Sequence, residues 1–269
     1  MNMTTPAAPT VALVTDAASP VGRAVALALA QRGWHLALHY QDDSAAPALS
    51  ALVQECQALG TRAVAIQCGL TEETGIDTLL PRAMQQFGGI GCIGCIVNNA
   101  SHMEHDNPAS FSTARLERHM RSNLAAPILL AQALYAATLK NEGAQAVVIN
   151  LLDQKLFNPQ PDFLSYTLSK AALHSATALL AQAYAPQLRV VAIAPSLAPS
   201  LTTSMTTPLT TSGQQSRLPA TLEDIAATVC FIASSSAITG STLVVDGGQH
   251  LYPDPRDQVA AHGKPSHPH

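Results

Sequence analysis

Short unbroken apolar runs recur along the chain, and stretches with apolar residues every three or four positions separate them. The runs 10–15 (TVALVT), 35–40 (HLALHY), 62–67 (RAVAIQ), 95–98, 146–150, 189–193 and 242–245 read as strands. Continuous rather than alternating apolar character suits strands covered on both faces. The periodic stretches predict helices near 21–31, 44–59, 72–87, 113–140, 163–184 and 222–233, the second of them stopped by Gly60. Strands alternating with helices of this length imply βαβ units and a parallel sheet. Right-handed crossovers then place helices on both faces.

No shift in composition marks a second domain. The expected fold class is therefore α/β, a single doubly wound Rossmann-type domain over 10–252, with a flexible N-terminus (1–9) and a loose C-terminal arm (253–269). Residues 196–220 are rich in Ser, Thr and Pro and follow a strand's carboxyl end, where such sheets bind ligands. They read as a substrate lid, with a disordered insertion as the alternative.

Composition narrows the function. With 47% hydrophobic and 12% charged residues, the 269-residue chain can bury a large core. A net charge of -4 leaves no basic footprint for nucleic acid. No apolar run reaches the roughly 18 residues of a membrane span, and the start lacks the basic and apolar regions of a secretion signal. Five scattered cysteines do not make a disulfide framework, so a reducing cytoplasm is expected. Cys92 and Cys95 have no second pair at zinc spacing and read as structural; no metal site is expected.

The candidate chemistry lies at Tyr166 and Lys170, with Asp153 thirteen residues before the tyrosine. Positions i and i+4 share a helix face, so a phenol and an ammonium point into one space. A neighbouring cation is expected to lower the tyrosine pKa and prepare the phenol to hand a proton to a developing anion. The plainer alternative is a chance pair on a solvated face.

Taken with Asn98-Asn-Ala-Ser101, Asn123, Pro195-Ser196 and Asp246-Gly-Gly248, the Tyr-x-x-x-Lys spacing resembles the short-chain dehydrogenase/reductase family over about 11–251. The resemblance implies catalytic roles for Asn123, Asp153, Tyr166 and Lys170. Tyr166 is then the general acid, Lys170 tunes it and binds the nicotinamide ribose, and Asn123 holds a water in the proton relay. It also implies an NAD(P)H cofactor against Thr15, Val21, Gly22, Tyr40, Asp42, Asn98, Ala100, Tyr166, Lys170, Pro195 and Ser196, and a homotetramer acting on a small molecule.

Asp153 stands where the family usually has serine. Together with Asn-Ala-Ser in place of Asn-Ala-Gly and with Ser196-Leu197 after the sixth strand, it resembles the pteridine reductase and dihydromonapterin reductase branch. A carboxyl group can carry a proton to a ring nitrogen or bond an amino group, which suits a pterin-like heterocycle. An ordinary carbonyl substrate stays open. Substrate contacts are expected from Ser101, Met103, Asp153 and Tyr166, with Met103 where that branch offers a stacking aromatic ring. His102, Glu104, His105 and Asp106 flank it and read as substrate-mouth or solvent-facing side chains rather than a metal site.

The nucleotide side departs from the family. The glycine-rich turn is here Thr15-Asp-Ala-Ala-Ser-Pro-Val-Gly22, with only its last glycine kept. Two unit charges about 5 Å apart at an effective dielectric of ~20 repel by roughly 3 kcal/mol, so a carboxylate at Asp16 is expected to weaken pyrophosphate binding. Asp42 and Asp43 stand where an NADPH enzyme carries a cation, which favours NADH. Gly69 replaces an aspartate that usually meets adenine. A non-catalytic binding protein or oligomer subunit is the rival reading.

Overall fold

The computed structural model describes residues 10–87, 93–141, 143–159, 161–196 and 220–251. The expected N-terminal segment 1–9, most of the lid (197–219) and the arm from 252 onward lie outside the described residues, as does Cys92.

Seven strands form one parallel sheet: β1 (Val11–Val14), β2 (His35–Tyr40), β3 (Ala63–Gln67), β4 (Ile93–Asn98), β5 (Ala146–Leu151), β6 (Leu188–Pro195) and β7 (Thr242–Val245), in the order β3-β2-β1-β4-β5-β6-β7. Every pairing is parallel. The order reverses between β1 and β4, which opens a crevice at the carboxyl ends of the strands.

The helices are α1 (Pro20–Ala30), α2 (Ala46–Ala58), α3 (Glu73–Phe87), α4 (Thr113–Met120), α5 (Ala126–Thr138), α6 (Leu164–Tyr184) and α7 (Leu222–Ser234). Successive residues of β1 feed opposite layers. Ala12 and Val14 pack with α1, α2 and α7, while Val11 and Leu13 pack with α3, α5 and the end of α6. This two-sided burial explains the unbroken apolar runs, since each such side chain contributes roughly 1.5–3 kcal/mol when fully buried.

Local signals set the helix ends nearest the crevice. Ser19 caps α1 by accepting the Gly22 N–H at 3.1 Å, and Pro20 follows as the first helical residue, where its missing N–H costs nothing. Thr221 and Asp224 form a reciprocal capping box on α7. The helix expected over 113–140 is interrupted: α4 and α5 are joined by a π-helical turn, Arg121–Ala125, which carries Asn123. Such wide turns cluster at functional sites because they re-aim backbone and side chains.

Candidate active site

β5 ends at Leu151, and the chain turns so that Asp153 caps a 3-10 turn, its Oδ1 accepting the Lys155 N–H at 2.8 Å. Its other oxygen, Oδ2, accepts the Tyr166 hydroxyl at 3.2 Å. Lys170, one turn further along α6, is 3% exposed and donates from Nζ to the Leu151 carbonyl at 2.8 Å. The ammonium lies 5.8 Å from the centre of the Tyr166 ring. The three residues expected from spacing thus meet at the carboxyl end of β5.

Their electrostatics reverse one expectation. Burial, and then the Asp153 carboxylate, push the Tyr166 phenol well above its ordinary value. Lys170 does not offset this, and burial pulls Lys170 itself down to about 8, against a smaller upward pull from Asp153. Tyr166 is therefore held as a protonated phenol, the form from which an acid acts.

Asn123 is buried and acts as a clamp. Its Oδ1 accepts the His102 N–H at 2.7 Å, and its Nδ2 donates to the His102 carbonyl at 2.8 Å and to Ser169 Oγ at 3.0 Å. It ties the loop after β4 to α6. Ser101 Oγ lies 3.4 Å from the same Oδ1 and also bears on the Tyr166 hydroxyl. Met103 is 43% exposed at the mouth.

Of the four residues around Met103, His102 lies with Nε2 3.5 Å from Glu104 Oε2, and the other three have further partners. Glu104 is gripped by Arg115 Nε and an Arg118 nitrogen, each at 2.8 Å, and these hydrogen bonds lower it to about 2. His105 lies 3.8 Å from Asp162. Buried Asp106 accepts the Ser165 N–H at 3.0 Å and its hydroxyl at 2.5 Å, while its carbonyl accepts the Phe163 N–H at 2.7 Å. It caps α6 from 59 residues away in sequence, beside Tyr166, where a carboxylate also complements the helix dipole. Sequence reasoning missed this role because the cap belongs to a remote loop. Among the described residues no group of three metal-ligating side chains converges.

On the nucleotide side Thr15 Oγ1 accepts the Asn99 and Ala100 N–H groups, each at 2.9 Å. Asn99, not singled out from sequence, reaches from Nδ2 to the carbonyls of Thr15 and Asp16 and to Ser19 Oγ at 2.9–3.0 Å. Asn98 is turned elsewhere: its Nδ2 donates to Asn150 Oδ1 at 2.8 Å across the β4–β5 register. Its side chain braces the sheet. Gly22 is sterically required, since a Cβ there would overlap the Asp16 carbonyl oxygen and lie 2.9 Å from Ala17 Cα. Val21 is buried on the inner face of α1 and Tyr40 packs at the edge of that layer. Ser196 closes the neck of the segment after β6: its N–H donates to the Val245 carbonyl and its hydroxyl accepts the Ala220 N–H, both at 3.0 Å.

Asp16 occupies the left-handed region at φ 50°. Burial raises its pKa, opposed by a Ser19 hydrogen bond and reinforced by the Asp42 charge. Asp42 bonds Ser44 and Asp43 bonds Gln67, so both acids are partnered at the rim. Arg23, the nearest candidate to meet a phosphate, is instead paired with Glu55 at 2.5 Å. The turn is thus closed by its own hydrogen bonds and carries an acid where the family's turn has glycine.

The family model described as Enoyl-(Acyl carrier protein) reductase matches residues 17–250. Glucose 1-dehydrogenase 2 of Bacillus subtilis is 28% identical over 252 residues, covering 90% of this chain and 95% of its own. Among solved structures, FolM Alternative dihydrofolate reductase 1 from Brucella suis, in complex with NADP, superposes with a TM-score of 0.79 at 32% identity over 92% of this chain and 98% of its own. A blue fluorescent protein from a metagenomic library, in complex with NADPH, gives 0.75 at 26% identity over 89% and 97%. The fold, the Tyr166–Lys170 pair and these matches agree: the chain belongs to the short-chain dehydrogenase/reductase family.

Proposed function

We propose that this oxidoreductase reduces a pterin-like heterocycle with NAD(P)H, Tyr166 and Asp153 managing the proton. The observation that carries the reading is the 3.2 Å bond from the Tyr166 hydroxyl to Asp153 Oδ2, at the place where the family's serine would stand. Serine can only orient a carbonyl, whereas this carboxylate can also accept from a ring amino group or relay a proton. The 32% identity to an alternative dihydrofolate reductase supports the same direction. Reduced nicotinamide supplies the hydride when bound. Tyr166 donates a proton to the atom that gains negative charge, Lys170 steadies the ribose and the relay, and Asn123 holds the loop bearing Ser101 and Met103 against the substrate. Assembly as a homotetramer is carried over from the family resemblance; Leu168 and Leu179 on α6 and Phe231 on α7 are exposed.

Reduction of a simple carbonyl is the second reading, favoured by the dehydrogenase among the relatives. Turnover of dihydropterins and of diketones by the unaltered protein and by Asp153→Ser separates the two. Pterin chemistry requires a far larger loss on dihydropterins, and equal losses would leave the carboxylate only a capping role. Thermal shift with NADH and with NADPH addresses the non-catalytic rival, because a ligand stabilises only what it binds. No shift with either would favour that rival.

A further inference from the structure

In the family's usual turn a glycine follows the first strand and takes the left-handed conformation freely. This chain has Asp16 there, at φ 50°. An L-residue in that region needs support from its surroundings, and aspartate less than most. The support here comes from the side chain of β2's penultimate residue. The Asp16 N–H donates to His39 Nδ1 at 3.2 Å, and the Ala17 N–H donates to the His39 carbonyl at 2.9 Å. On the far side of the same ring, Nε2 meets the Cys68 carbonyl at 2.8 Å, just past the end of β3. One buried imidazole therefore spans the turn, β2 and the exit of β3.

Partners settle its tautomer. Nδ1 accepts from a backbone N–H and carries no proton, so Nε2–H donates to Cys68. Burial pulls the ring's pKa down to about 4, against an upward pull from the Cys68 bond, and the ring stays neutral near pH 7. Asp16's N–H is thereby turned inward, away from the crevice. Its carbonyl is held by Ser19 and Asn99, which fixes the peptide on both sides.

We propose that His39 is a positioning residue for the dinucleotide, holding the Asp16 turn in the shape that glycine supplies elsewhere. The inference rests on the dinucleotide reading above. It makes Asp16 and His39 a coupled pair, so either change alone acts differently from both together.

The test uses two conservative variants and a glycine background, with Kd for NADH and NADPH read by calorimetry. In His39→Asn the amide oxygen can replace Nδ1 as acceptor for Asp16. In His39→Gln the longer amide can reach Cys68 but leaves the Asp16 N–H without its acceptor. The expected result is a Kd within about threefold of the unaltered protein for Asn and a loss of tenfold or more for Gln, with similar falls in Tm. In the Asp16→Gly background the Gln change should cost less than threefold. A purely structural histidine would lower Tm in both variants and leave Kd alone. A folded Gln variant with unaltered Kd overturns the inference. Should that variant fail to fold, the ¹⁵N shifts of the ring in the unaltered protein decide: Nε2–H with and without NADH supports it, and Nδ1–H overturns it. If the unaltered protein binds neither nucleotide, the dinucleotide reading falls and takes the inference with it. Binding with an indifferent Gln variant removes the inference alone.

Discussion

Tyr166→Phe removes a single oxygen and is the sharpest probe of the site. The structure separates what that oxygen does for stability from what it does for chemistry. Its donated hydrogen bond goes to Asp153 Oδ2 at 3.2 Å, Ser101 bears on the same oxygen, and Asp153 keeps its bond from the Lys155 N–H at 2.8 Å. The ring's contacts with Lys170 and His119 survive the change. A single such bond has a net worth of about 0.5–1.5 kcal/mol, or a Tm change of about 2–4 °C per kcal/mol in a domain of this size. A positioned general acid contributes about 10²–10⁴ in rate, which at ~1.36 kcal/mol per decade is roughly 3–5 kcal/mol of barrier. The expected variant is thus folded, a few degrees less stable, and at least a hundredfold slower. Reduced-nicotinamide absorbance gives the rate, calorimetry gives Tm, and a nucleotide titration should give an unchanged Kd. Turnover within tenfold of the unaltered protein would refute Tyr166 as the acid.

Lys170 offers a pH test. Its folded pKa lies near 8 against an ordinary 10.5, so between those values the unfolded chain holds a proton that the folded one has lost. Stability then rises with pH across that window, by about 2–3 kcal/mol in urea titrations, and a Lys170→Met variant should lose that rise. A variant with the same slope would show that the slope originates elsewhere. Gly22→Ala should cost about 1–3 kcal/mol and most of the nucleotide affinity, because the added Cβ overlaps backbone rather than a yielding side chain; unaltered Kd would mean that the turn relaxes freely. NADH should bind more tightly than NADPH, whose extra phosphate faces Asp42 and Asp43, and Asp16→Gly should strengthen both roughly tenfold at low salt. Tighter NADPH binding in calorimetry would show that Arg23 leaves Glu55 for the phosphate.

The strands were legible because burial on both faces forces unbroken apolar runs, and the helices because their apolar stripes repeat. The Tyr166–Lys170 pair was legible too, since a helix turns i and i+4 to one side wherever it sits, and Asp153 stood out by its chemistry. Other features depend on residues far apart in the chain. Asp106 capping α6, Asn99 lacing the first turn and His39 bridging Asp16 to Cys68 are contacts between segments 23 to 83 residues apart or across neighbouring strands, with no local pattern to announce them. The sign of the Tyr166 shift belongs with these. Spacing alone put a cation beside the phenol and implied a lowered pKa, but burial weakens the charged form of both groups, and Asp153 adds its own charge from the end of another element. Sequence by itself determined which residues share a helix face and which strands are buried. Only the tertiary structure decided how deeply each polar group is withdrawn from water and what it meets there, because desolvation and partner geometry are properties of the packed whole.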